Sequence, residues 1–168
     1  AKRLGLRVST IPVQSLGGIV ENSGIIAEYI KALPDAEKVW LLSLSKGTAD
    51  LKHALLNHLD DADKTKIKGI INISGMPGGT PLTGQGSGIS VGYHVLRQWL
   101  KFRGGDDNLL NEMFLDHPFS QADFVLPEHI EVINIAGVPL ASHLRKPVCK
   151  AYETLAEYLG NGGYVALK

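Results

Sequence analysis

Short β-branched runs alternate with longer stretches of helical spacing along this chain. Residues 5–13 carry Leu6, Val8, Thr10, Ile11 and Val13 and close on Pro12, which reads as a strand. A loop follows over 14–18. Asn22 or Ser23 then suits the cap of a helix reaching Leu33, with Ile25, Ile26, Tyr29, Ile30 and Leu33 on one face and Pro34 ending it. The apolar run at 38–44 predicts a buried strand. Leu51, Ala54, Leu55 and Leu59 then predict a helix over 46–59. Asp60, Asp61 and Asp63 beside Lys64, Lys66 and Lys68 read as a solvated turn, and 67–73 as a further strand.

The texture changes at Gly75. A loop rich in Gly and Pro runs to Gly88, followed by helical spacing over 89–102 and 108–114. Residues 130–136 read as a strand, 146–159 as an amphipathic helix, and 164–167 as a last short strand. Strands alternating with helices predict one α/β domain over 1–168: a mainly parallel sheet flanked by helices, with a helical cap inserted over 75–125. The insertion would cover the C-terminal edge of the sheet. Its Trp99, with Val95, Leu96 and Phe102, would either pack within it or line an apolar pocket.

The junction between the second strand and its helix carries the chemistry. Ser43-Leu44-Ser45-Lys46-Gly47 puts a serine at a sharp strand-to-helix turn, with small residues two before and two after. That is the pattern of a nucleophile elbow, usually written G-x-S-x-G, with Ser43 here in the first small position. The strained turn brings strand and helix close, so 43 and 47 need small side chains. The helix N-terminus offers N–H groups where negative charge develops. The same residues also suit a plain turn with Ser45 as the helix cap.

Composition narrows the partners. The 17 basic residues balance 17 acidic ones, so the basic footprint of a nucleic-acid binder is missing. No apolar stretch approaches the length of a membrane span. A single cysteine, Cys149, rules out an internal disulfide and fits a reducing, cytoplasmic setting.

Other constellations are weaker. Gly79 and Gly84 have Walker-type spacing, but Gln85 stands where phosphate binding needs Lys. Gly84, Gly86 and Gly88 lack dinucleotide spacing, so a nucleotide-binding domain is a distant reading. None of His53, His58, His94, His117, His129 and His143 has metal-ligand spacing to a partner. His53 and His58, five apart on one helix, should not share a face.

Taken together, the elements and the 43–47 turn resemble the α/β-hydrolase fold family, specifically its lipase and esterase-like members. Residues 5–13 resemble that sheet's fourth strand, 43–47 the elbow after the fifth, and 67–74 the sixth. Residues 131–137 resemble the seventh and 164–167 the eighth, with the 75–125 insertion where those enzymes carry a cap. The resemblance implies Ser45 as nucleophile, the Lys46 backbone N–H as half of an oxyanion hole, a small apolar ester or lipid-like substrate, and no cofactor.

It also implies that other parts lie elsewhere. No carboxylate occurs at 136–140, where the triad acid usually follows the seventh strand, and Gly162 stands where some lipases carry an Asp. The family's His follows the eighth strand, beyond Lys168; three strands and the second oxyanion donor precede Ala1. His143 is the one internal substitute for the base. Residues 1–168 alone are therefore expected to hydrolyse no ester. The competing reading is a non-catalytic domain of the same fold, used to bind a protein partner or to assemble.

Overall fold

The computed structural model describes residues 5–35, 37–83, 97–106, 108–137 and, near the C-terminus, 149, 152, 153 and 155. Three strands, β1 (Val39–Leu44), β2 (Ile67–Ile73) and β3 (Glu131–Ile135), form a parallel sheet in the order β1-β2-β3. The expectations at 38–44, 67–73 and 130–136 hold to within a residue at each end. Leu41, Ile70 and Val132 share one row of the register, and Ser43, Asn72 and Asn134 the next row on that face.

Helices α1 (Ile19–Lys31) and α2 (Gly47–Asn57) lie on that face. Their apolar stripes meet the sheet through Ile26, Ile30, Leu51, Leu55, Ile67 and Ile70. Nothing among the described residues covers the opposite face, where Trp40, Leu42, Leu44, Ile133 and Ile135 are exposed. There the Trp40 ring lies on Gly69, where an added Cβ would meet ring carbons at 2.6 Å.

α1 begins earlier than its sequence suggests. Asn22 and Ser23 lie inside the helix and are buried, in register with Ile19, Ile26, Ala27 and Ile30 on one helical face. The helix is capped from far away: its Ile19 N–H donates to Glu112 Oε2 at 2.6 Å. Gly18 leaves space for a second carboxylate beside it, since a Cβ there would lie 2.5 Å from Asp106 Oδ2. At the other end, Lys66 Nζ donates to Lys31 O at 3.0 Å and Leu33 O at 2.9 Å, taking up carbonyls that the helix cannot satisfy.

Residues 5–13 do not form the expected strand. The Val13 N–H turns back to Ile11 O at 2.8 Å, and Pro12 has no N–H to give. Leu6 and Val8 stay exposed, while Ile11 and Val13 rest on the core. β-branched composition cannot make a strand without a ladder to join. The segment is held by side chains instead, Arg7 to Glu37 at 2.8 Å and Ser9 to Tyr29 at 2.5 Å.

The acidic turn after α2 is ordered by its own carboxylates. Asp60 and Asp63 form a capping box around the single-turn helix α3 (Asp61–Lys64). Beyond β2 come a 3-10 turn (Pro81–Thr83) and two short helices, α4 (Leu109–Glu112) and α5 (Pro118–Gln121). Residues 97–102 are helical. Leu100, Leu109, Leu110 and Met113 form a second core with Ile19 and Ala49. Trp99 is about half exposed, with the Arg103 guanidinium 5.6 Å from its ring centre, and Phe102 is exposed. The remainder of the Gly-rich loop, Val95 and Leu96, His94, His143, most of the 146–159 stretch and the 164–167 stretch lie outside the described residues. No helix among the described residues is long and apolar enough to cross a membrane.

Candidate active site

β1 ends at Leu44 and α2 starts at Gly47, so the chain reverses within two residues. Ser45 takes the left-handed conformation, with φ of 50°. For a non-glycine residue this costs roughly 1 kcal/mol and persists only where neighbours hold it. Two neighbours do. The Ser45 N–H donates to Ile73 O at 3.0 Å, and Ser45 O accepts from the Met76 N–H at 3.4 Å. The Ser45 side chain is half-buried, and the Lys46 N–H donates to no atom among the described residues.

Ser43 is buried beneath the turn, and its hydroxyl explains why serine is tolerated there. It donates to Asn72 Oδ1 at 2.6 Å, so the Thr48 hydroxyl 3.0 Å away donates to it. Asn72 Nδ2 in turn donates to Asn134 Oδ1 at 2.9 Å. The polar row thus runs from the first turn of α2 across the ends of all three strands.

Gly47 does not play the packing part its position suggests. A Cβ there would meet no atom within 4 Å among the described residues. The tight approach is at Gly75, just after β2, where a Cβ would lie 2.9 Å from Thr48 Cβ and 3.0 Å from Thr48 Cγ2. The sequence places Gly75 at a loop start, and only the sheet register brings it under Thr48. Ser74 repeats the conformation of Ser45 one strand over, with φ of 47°, and its N–H donates to Ile135 O at 2.7 Å.

Behind the turn, Lys46 Nζ clamps Asp50, at 2.6 Å to Oδ1 and 2.8 Å to Oδ2. Asn22 Nδ2 donates to Asp50 Oδ2 at 3.0 Å, and Asn22 is tied to the Gln14 backbone at both ends of its amide. Burial pushes the Asp50 carboxyl above its ordinary value, while the Lys46 hydrogen bond and charge pull the other way. The pair turns the Lys46 ammonium back along α2. Nothing in the local sequence marks Asp50 as buried, and its i,i+4 spacing to Lys46 was the available signal.

Among the described residues no imidazole or carboxylate bonds to the Ser45 hydroxyl, and no cluster of three His, Cys, Asp or Glu side chains is arranged to hold a metal. A recess of about 370 Å³ lined by Lys38, Thr65, Ile67, Lys68 and His129 lies at the strands' N-terminal ends, the opposite edge from Ser45.

No protein-family model matches the chain, and no curated protein matches it. Two solved structures do. One is the metagenomic carboxyl esterase MGS0156, with a TM-score of 0.68 and 18% identity, covering 89% of this chain and 45% of that one. The other is the Bacillus licheniformis lipase BlEst2 in mature form, with a TM-score of 0.55 and 16% identity, covering 89% and 58%. The chain thus spans about half the length of these structures. At such identities they show the fold, which is α/β-hydrolase-like: a parallel sheet flanked by helices.

Proposed function

We propose that this chain carries the nucleophile of a serine ester hydrolase. The observation that carries the reading is the left-handed Ser45 between β1 and α2, held from both sides by β2 and the loop after it. A strained residue at the C-terminal edge of a parallel sheet is where such folds put chemistry. Ser45 Oγ would attack an ester carbonyl, giving its proton to a base that passes it to the departing alcohol as the ester C–O bond breaks, and water would then release the acid from the acyl-enzyme. The Lys46 N–H, free of partners among the described residues, would meet the oxyanion. An esterase and a lipase as structural neighbours support an ester with an apolar acyl part. Residues 75–125 would form the cap over this edge, an arrangement favoured by the packing of Leu100, Leu109 and Met113 with Ala49 in the first turn of α2.

The test is hydrolysis of activated esters of increasing acyl length by the protein at the length its gene encodes. Ser45→Ala should lower kcat/KM by roughly 10⁴-fold or more, since what remains comes from binding and the oxyanion hole. Equal rates in both forms would overturn the reading. A second reading, a non-catalytic domain that binds a protein partner, is favoured by the apolar sheet face bearing Trp40, Leu42, Leu44, Ile133 and Ile135.

A further inference from the structure

The insertion is fastened to α2 by an aromatic stack that the proposed reaction does not use. Phe119 of α5 lies between two imidazoles, edge-on to both, with ring centres 4.4 Å from His53 and 4.5 Å from His117. His58 joins from the other side, its ring centre 5.4 Å from that of His53. The five-residue spacing was expected to separate the two. Instead α2 ends at Asn57, and His58, as its C-cap with φ of −124°, leaves helical geometry and swings its ring back. Beside the stack, Lys52 Nζ donates to Pro77 O at 3.2 Å and Ser120 O at 3.1 Å, so α2 grips both ends of the segment.

The hydrogen bonds define the protonation states. Ser23 gives its hydroxyl proton to Val20 O at 2.8 Å, so its 2.8 Å contact with His53 must be a donation from Nδ1–H. Neutral His53 then carries no proton at Nε2. At the start of α5, His117 Nδ1 accepts from the Phe119 N–H at 3.3 Å and can do so only while unprotonated. His58 Nε2 is buried with no partner among the described residues. The contact therefore suits three neutral imidazoles.

We propose that the His53–Phe119–His117 stack is an acid-sensitive latch, holding α5 on α2 while the imidazoles are neutral and releasing it when they gain protons. A proton on His117 Nδ1 removes the acceptor that caps α5. A proton on His53 puts a charge into the closed ring contact with Phe119, His58 and His117. The titratable groups acting on His53 are His58, at the C-cap of α2, and His117, at the N-cap of α5, and α1 offers the neutral Ser23. Asp123 is the carboxylate acting on Lys52. Burial, reinforced by His58 and His117, already holds His53 below its ordinary value, so its neutral form is the one the fold favours.

Amide hydrogen exchange on the whole chain tests this, corrected for the intrinsic pH dependence of exchange. Protection of residues 115–123 should fall about tenfold or more between pH 7.5 and 5, while β2 stays protected. His117→Asn keeps an acceptor for the Phe119 N–H but does not titrate, and should cut that response at least about threefold. His53→Asn, which retains a donor toward Ser23, should also reduce it. Protection of 115–123 that is unchanged by pH overturns the proposal. So does loss in step with β2, or a full response in His117→Asn.

Discussion

The contrast between Gly47 and Gly75 gives the sharpest test of how the turn is built. The motif at 43–47 makes Gly47 the sensitive glycine, whereas the packing makes it Gly75. In Gly75→Ala the new Cβ would sit 2.9 Å from Thr48 Cβ and 3.0 Å from Cγ2. Carbon atoms prefer about 3.5–4.0 Å, so something must move by about half an ångström or more. Thr48 is 4% exposed and its hydroxyl is bonded to Ser43, so it cannot rotate aside without loss. Overpacking of this kind costs about 1–3 kcal/mol, and a broken hydrogen bond adds about 1. For a chain of this size each kcal/mol shifts Tm by roughly 2–4 °C, giving a loss of about 4–16 °C. Gly47→Ala meets no described atom and sits in the first turn of α2, so its Tm should hold or rise. The assay is thermal unfolding followed by circular dichroism for both variants. Combining Gly75→Ala with Thr48→Ala should cost less than the sum of the two by about 1 kcal/mol. A larger loss for Gly47→Ala than for Gly75→Ala would refute this account of the packing.

Other outcomes follow from the buried polar groups. Glu112→Ala should cost about 1–2 kcal/mol by denaturant titration, because it removes a charged cap from α1 and a tie to the insertion. Lys66→Met should cost about 1–3 kcal/mol, since Lys31 O and Leu33 O lose a charged donor while the apolar stem is kept. Asp50→Ala should cost about 3–5 kcal/mol by leaving Lys46 and Asn22 without their partner. Asp50→Asn should be milder and gain on the natural protein as pH rises. The folded carboxyl is raised, so its contribution is fully present below the unfolded value near 3.8 and is lost as pH climbs through the folded value. A gap that widens with rising pH would contradict that sign.

Local pattern carried most of the sheet. β2 spans Ile67–Ile73, the run of apolar and β-branched residues read as a strand, and the Ser43–Gly47 turn lies where small residues flank a serine. What stayed illegible was settled by groups distant in sequence. The start of α1 depends on Glu112, separated from Ile19 by 93 positions. Asn22 and Ser23 resemble caps because short polar side chains favour helix starts, yet here they answer Asp50 and His53 across a helix pair. Residues 5–13 have strand composition but no ladder. The meeting of His53 with His58 needs a helix end, and that of Thr48 with Gly75 needs the parallel register of β1 with β2. The fold itself was anticipated, because alternating strands and helices leave few ways to cover a parallel sheet.

The central claim is that Ser45 is a nucleophile, and covalent labelling asks this most directly. The protein at its gene-encoded length, and its Ser45→Ala variant, would be treated with a fluorophosphonate and read by peptide mass spectrometry. A serine reacts at a useful rate only where a base and an oxyanion site act on it. The account predicts one adduct, on the peptide containing Ser45, and none in the variant. A folded protein that takes no label, or a variant labelled as fully as the natural chain, would contradict it.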